Sequence, residues 1–158
     1  MDSTPSQARR GEKPYVVIEC PEKIPCDPCV DACAQGAISI PGSIIELPEV
    51  DYEKCTGCLL CIPKCPGLAI FVIDETPEDD SIIYIPYELL PRPKKGDKVL
   101  ALDREGKEQG EVTVTKVIDS PKFDHCAVIG FSVPKDLVND IRFIELKNRA
   151  LIPKERCI

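Results

Sequence analysis

Residues 55–66 read CTGCLLCIPKCP, in which four cysteines have the spacing C-x2-C-x2-C-x3-C and a proline follows the last one. An upstream run has the spacing C-x5-C-x2-C-x3-C and consists of Cys20, Cys26, Cys29 and Cys33. The last three cysteines of each run keep the same register, and the match continues into Ala37-Ile38 and Ala69-Ile70. The chain therefore contains an internal repeat, and the two copies are best interpreted together.

The density of thiols in these two runs indicates metal clusters. In a [4Fe–4S] cube the iron corners lie close together, so three cysteine ligands come from one tight loop and the fourth comes from elsewhere. Two other uses of the cysteines stay open at this point. Zinc is usually held by paired C-x2-C knuckles rather than by triplets with a trailing cysteine. Disulfides are typical of secreted chains, and nothing in the sequence favours secretion.

The composition limits the classes of partner. The chain has 158 residues and a net charge of −7, which predicts one or two small domains and disfavours binding to nucleic acid or to anionic membranes. No apolar run is long enough to span a bilayer, so membrane insertion is not expected. We therefore predict a cytoplasmic protein with no nucleic-acid partner.

The first half alternates short strands, cysteine runs and short helices. Residues 1–13 are polar and are predicted to form a flexible N-terminal arm. Strands are predicted at residues 14–19, 37–40, 44–47 and 69–73. Short helices are predicted at residues 28–35 and 60–64, the first ending at Gly36, a residue type favoured after helix ends.

This order, over residues 14–75, resembles the two-cluster ferredoxins of the bacterial type. The resemblance implies two [4Fe–4S] clusters whose ligands are exchanged between the runs. Cluster I would be bound by Cys20, Cys26, Cys29 and Cys65. Cluster II would be bound by Cys55, Cys58, Cys61 and Cys33. The first run departs from the family pattern in its x5 gap and in Ala34, which stands where Pro66 follows the second run.

The second half has strand signals throughout. An acidic linker is predicted at residues 76–81, and a small all-β domain at residues 82–145. The short strands with Gly-containing turns resemble an SH3-like, half-open barrel. The predicted fold class is thus α+β, a two-cluster ferredoxin-like domain followed by a small β domain.

The end of the chain offers two interpretations. Residues 146–158 are predicted to be a tail, either frayed or acting as an arm that docks on a partner, because they carry apolar side chains. His125 is interpreted as a surface loop residue and Cys126 as a small buried hydrophobe. For Cys157 an inert thiol is the default interpretation, with contact to a partner as the alternative.

The expected function is electron transfer. The sequence has no nucleophile–base pair, no dinucleotide-binding glycine pattern and no phosphate loop, so no catalytic site of its own is predicted. The whole chain resembles small iron–sulfur subunits that accompany FAD-dependent dehydrogenases of amines, amino acids or hydroxy acids. This resemblance implies a flavoprotein partner, with a further redox partner as an addition. The alternatives are a free-standing soluble ferredoxin that shuttles electrons between enzymes and a non-redox binding module with structural clusters.

Overall fold

The computed structural model of the protein describes residues 5–123 and 126–147, which are mostly β-structure with few and short helices. The helices are α1 (Gln7–Glu12) and α2 (Pro28–Ala32), and short 3-10 helices lie at Ile62–Lys64, Pro121–Phe123 and Lys135–Leu137. The strands are β1 (Tyr15–Ile18), β2 (Ile38–Ser39), β3 (Glu49–Val50), β4 (Ile70–Asp74), β5 (Asp80–Tyr87), β6 (Lys98–Asp103), β7 (Glu108–Ile118), β8 (Ala127–Pro134) and β9 (Ile141–Glu145).

One antiparallel sheet runs through both halves of the chain. Its strand order is β1-β4-β5-β8-β7-β6-β9, while β2 and β3 form a separate two-stranded ribbon. Strand β7 serves two neighbours, since Val112 and Thr113 pair with β6 whereas Val117 and Ile118 pair with β8. The cysteine-rich half therefore contributes β1 and β4 to the same sheet as the second half.

Strands β1 and β4 are buried on both faces because side chains alternate along a strand. Tyr15 and Ile73 pack into a core shared with β5 to β9. Val16 and Val72 face the opposite way and pack with the cysteine runs. This pair of strands thus forms the wall between the β core and the cysteine-rich region.

Several predicted elements differ from the structure. Residues 44–47 do not pair, and the ribbon uses Glu49–Val50 instead, next to the second run. Helix α2 ends at Ala32, earlier than predicted, and the helix expected at residues 60–64 is a 3-10 helix at Ile62–Lys64. The proline inside each segment and the closely following cysteine leave room for about one turn.

The ends of the predicted domains also differ. The flexible arm of residues 1–13 is wrong over Gln7–Glu12, which forms α1 with Ser6 as its N-cap. Asp80 and Ser81, placed in the acidic linker by the sequence, begin β5 and pair with β8. The fold is confirmed as mostly β with a ferredoxin-type segment, whereas the division at residues 76–81 stays a prediction.

In the part of the chain that the structure describes, none of the helices has the length and apolar character needed to cross a lipid bilayer.

Candidate iron–sulfur site

Two cavities lined by thiols lie against the β1–β4 wall. Cavity I contains four cysteines and rests on Ile18 and Ile70; its cysteines are Cys20, Cys26, Cys29 and Cys65. Cavity II rests on Val16 and Val72, and its cysteines are Cys33, Cys55, Cys58 and Cys61. Ile18 pairs with Ile70 and Val16 pairs with Val72, so the two cavities are offset by two residues, roughly 7 Å, along the strands.

The structure brings together cysteines from different runs in each cavity. Cys65 leaves the second run and joins cavity I, and Cys33 leaves the first run and joins cavity II. The cause is local, because a short helix separates each of these cysteines from the rest of its run. Helix α2 carries the chain from Cys29 to Cys33, and the 3-10 helix at Ile62–Lys64 carries it from Cys61 to Cys65.

The internal repeat is visible in the backbone that follows each helix. The amide of Cys33 donates to the carbonyl of Val30 at 3.3 Å, and that of Cys65 donates to the carbonyl of Ile62 at 3.4 Å. Four residues later, the amides of Ala37 and Ala69 donate to the Sγ atoms of Cys33 and Cys65 at 3.3 and 3.5 Å. Such donors stabilise thiolate charge and are a normal feature of cysteines around iron–sulfur clusters.

A left-handed residue also recurs in the repeat. Gly36 has a φ angle of 64°, and Leu68, at the matching position, has a φ angle of 53°. Leucine takes this conformation at a cost of about 1 kcal/mol, so the surroundings must hold Leu68 in place. The turn after each run is therefore required by the architecture and not only by glycine.

The thiols bind their protons tightly without metal. Burial raises the pKa of Cys61 to about 12, and the nearby Cys58 and Cys55 add to this effect. Burial also raises the pKa of Cys26 and of Cys29, and in both the next contribution comes from Cys65. Because thiolates are the ligands of iron, binding of metal has to release these protons.

The donor set fits two four-cysteine clusters. The nine cysteines within the described ranges are free thiols, and eight of them line the two cavities. Among the described residues, no three Cys, His, Asp or Glu side chains converge as they would around a single metal ion. A [4Fe–4S] cube binds its cysteines at separate corners, so the relevant geometry is that of four thiols enclosing a cavity.

An arginine that the sequence interpretation missed holds the second run in place. Arg9 of α1 is only 5% exposed. Its guanidinium donates to the carbonyl oxygens of Tyr52 and Cys55, both at 2.8 Å, and to those of Lys13 and Pro14 at 2.7 and 3.2 Å. No motif announces this contact, because the acceptors are backbone atoms and every residue offers one.

Gly57 fits against the same N-terminal segment. Its φ angle is 70°, and a Cβ atom at this position would lie 2.5 Å from the Cβ atom of Pro14. Both the backbone conformation and the close approach therefore require glycine. The segment from Arg9 to Pro14 consequently closes one side of cavity II.

The first run is held by charges from the second half of the chain. Glu19, next to Cys20, accepts hydrogen bonds from Arg142 Nε at 3.2 Å and from Arg104 Nε at 2.8 Å. Arg142 is 6% exposed and lies over the ring of Phe71, with 5.6 Å between the guanidinium carbon and the ring centroid. Burial lowers the pKa of Arg142, and the Glu19 carboxylate opposes that effect.

The remaining residues that the sequence singled out are not part of these cavities. Cys126 is buried, and its thiol donates weakly to the carbonyl of Ala127 at 3.6 Å, as expected for a small hydrophobic residue. His125, Cys157 and most of the predicted tail lie outside the described residues.

Comparison with known proteins agrees with this geometry. The family model of the 4Fe-4S dicluster domain matches residues 24–69. A polyferredoxin-like subunit of an aliphatic sulfonate oxidoreductase from Pyrococcus furiosus is 35% identical over 57 residues, which are 34% of this chain and 28% of the relative. No solved structure matches the chain significantly.

Two further curated relatives match the same region. Pyruvate synthase subunit PorD of Methanothermobacter marburgensis is 38% identical over 47 residues, which cover 30% of this chain and 51% of the relative. One subunit of an ion-translocating oxidoreductase complex from Methanosarcina acetivorans is 35% identical over 75 residues, covering 40% and 27%. The chain thus spans between about a quarter and about half of the length of these three relatives.

These matches and the two thiol-lined cavities lead to one conclusion. Each bound [4Fe–4S] cluster takes up and releases one electron at a time, so the function of the segment is electron transfer. Residues 24–69 form a 4Fe-4S dicluster domain, and two [4Fe–4S] clusters are the cofactors of this chain.

Proposed function

We propose that this chain is the electron-transfer subunit of a multisubunit oxidoreductase whose dehydrogenase subunit carries a flavin. The single observation behind the proposal is that two thiol-lined cavities lie side by side on the wall of a sheet that continues into a second, cluster-free half. A pair of one-electron sites suits a flavin, which gives up two electrons in separate steps. The three relatives described above are all named as subunits of oxidoreductases.

We further propose the exchanged ligand sets. Cluster I is bound by Cys20, Cys26, Cys29 and Cys65. Cluster II is bound by Cys55, Cys58, Cys61 and Cys33. The lining of the two cavities supports this assignment, and so do the matching hydrogen bonds to the Sγ atoms of Cys33 and Cys65. Cys20 keeps its place in cluster I despite the longer gap, because it lines the same cavity as Cys26 and Cys29.

The second half is proposed to be a half-open barrel of the SH3-like kind that contacts the partner subunit. Support comes from β7, which leaves β6 and joins β8 near Val114, as a strand does when a sheet curves into a barrel. A core of buried aliphatic and aromatic side chains fills its interior. A free carrier of electrons has no evident need for such a module. A cytoplasmic location is part of the proposal, since a reducing compartment preserves the eight thiols as ligands.

Anaerobic purification from the native source tests the proposal. The full chain would be tagged, isolated without oxygen, and characterised by its iron content, its visible spectrum and the proteins that accompany it. We expect an iron–sulfur spectrum together with a flavoprotein in a fixed ratio. A monomer that passes electrons between unrelated enzymes would instead support the free-ferredoxin alternative. Loss of the clusters without loss of partner binding or of turnover would support the structural-cluster alternative.

A further inference from the structure

We propose that Arg9 is a positioning residue for cluster II, and that its buried positive charge raises the reduction potential of that cluster relative to cluster I. This inference rests on the proposed ligand sets. It concerns α1, a segment that lies outside the residues matched by the dicluster domain family. Nothing in the cysteine pattern requires an arginine there.

The first argument is the geometry of the guanidinium. Its Nη2 atom donates to the carbonyl of Cys55, a proposed ligand, and its Nε atom donates to the carbonyl of Tyr52 in the turn that leads to this ligand. The other two bonds reach Lys13 and Pro14 at the start of β1. One planar group therefore connects the N-terminal segment to the backbone of the second run, and a lysine ammonium cannot reproduce this fork.

The second argument is charge. All four guanidinium hydrogen bonds end on carbonyl oxygens, and within the described residues no carboxylate forms an ion pair with Arg9. The hydrogen bond to Cys55 is buried, so water and salt screen this charge poorly. Reduction adds one electron and makes or breaks no bond to the protein. A nearby uncompensated cation favours the more negative, reduced state and raises the potential.

The third argument is the contrast with cavity I. Next to the first run lies Glu19, a carboxylate shared by Arg104 and Arg142, so the positive charges there are largely offset by the anion that they bind. Asp27, between two cysteines of the run, adds a further negative charge. The cysteines of cavity I are also half-buried, while two of the proposed ligands in cavity II, Cys55 and Cys61, are 7% and 8% exposed. The effect of an isolated cation is thus expected at cluster II and not at cluster I.

Redox titration of the full chain, followed by EPR of the reduced clusters, tests the inference. Arg9→Gln should move the potential of cluster II to more negative values and leave cluster I unchanged, and Arg9→Lys should give a smaller shift. The difference between Arg9→Gln and the wild type should persist at high salt. Arg10→Gln is the matched control, because Arg10 lies on the same helix and pairs with Glu75 at 3.9 Å.

The outcomes separate this inference from the proposed function. A wild-type chain without two clusters would contradict the function itself. Two intact clusters with the same potentials in Arg9→Gln as in the wild type would overturn only the role of Arg9. An equal shift in Arg10→Gln would overturn it as well, because the effect would then be one of net charge. If Arg9→Gln does not retain cluster II, Arg9→Lys decides, and a wild-type potential in that variant would overturn the inference.

Discussion

The two cysteine runs share a local backbone but differ in what surrounds them. Both place a one-turn helix before the exchanged cysteine and a left-handed residue after it. Around the second run, Arg9 and Pro14 close the cavity, and Ile62 is completely buried. Around the first run, the cysteines are half-buried. The segments leading to and from cavity I carry exposed Ile24, Ile44 and Ile45, at 50%, 47% and 43% exposure.

The anchoring residues of the two runs come from opposite ends of the chain. The second run is tied to α1 at the N-terminus through Arg9. The first run is tied to the β half through Glu19 and its two arginines. One ligand spacing is therefore compatible with two different environments, because the spacing determines the loop while remote segments determine burial and charge.

The largest expected effect comes from removing three cysteines at a time. Cys26→Ala/Cys29→Ala/Cys65→Ala takes all three from cavity I, so an intact cluster II and about four of about eight iron atoms should remain. Cys58→Ala/Cys61→Ala/Cys65→Ala removes the same number from both cavities, so no intact [4Fe–4S] signal is expected. Iron analysis and EPR measure both. The reverse pattern would show that each run binds its own cluster.

A smaller effect is expected from filling the contact between the second run and the N-terminal segment. Gly57→Ala adds a Cβ atom against Pro14 and strains the backbone, which should cost about 3 kcal/mol in the free energy of unfolding. Gly42→Ala is the control, since Gly42 has a φ angle of 78° and nothing within 4 Å, and about 1 kcal/mol is expected. Anaerobic denaturant unfolding measures both. Equal losses would mean that Pro14 does not restrict the loop.

The anchor of the first run can be tested through its carboxylate. Glu19→Gln leaves the buried Arg142 without a counter-charge and should lower the free energy of unfolding by about 2 kcal/mol. Glu105→Gln breaks the exposed pair with Lys107, where both side chains are 71% exposed, and less than about 0.5 kcal/mol is expected. If the two variants lose the same stability, the link between Cys20 and the β half is weaker than the structure indicates.

The smallest effect is expected where cavity I meets solvent. Ile24→Ala should change the free energy of unfolding by no more than about 0.5 kcal/mol, because half of this side chain is already in water. Ile62→Ala, at a site with 0% exposure, should cost about 3 kcal/mol. Denaturant midpoints compare them. A large loss in Ile24→Ala would contradict the exposed character of the first run.

The strands and the candidate ligands were largely predictable from sequence. The alternation of valines in β7 and the apolar runs of β4 and β8 are local patterns, and they mark strands wherever the sheet places them. The pairing of β1 with β4, and of β4 with β5, was not predictable in this way. It joins the two halves into one sheet, and it depends on the burial of Val72 and Ile73 on opposite faces.

The cysteine spacing alone specifies two thiol-rich loops, because the geometry of a tight loop depends on residues only a few positions apart. The environment of each loop is a property of the folded chain. Arg9 binds carbonyl oxygens that any sequence would offer, and Glu19 meets arginines more than eighty residues away. A conspicuous run such as residues 55–66 therefore identifies the cofactors, while contacts between distant segments determine how each cluster is buried, charged and held.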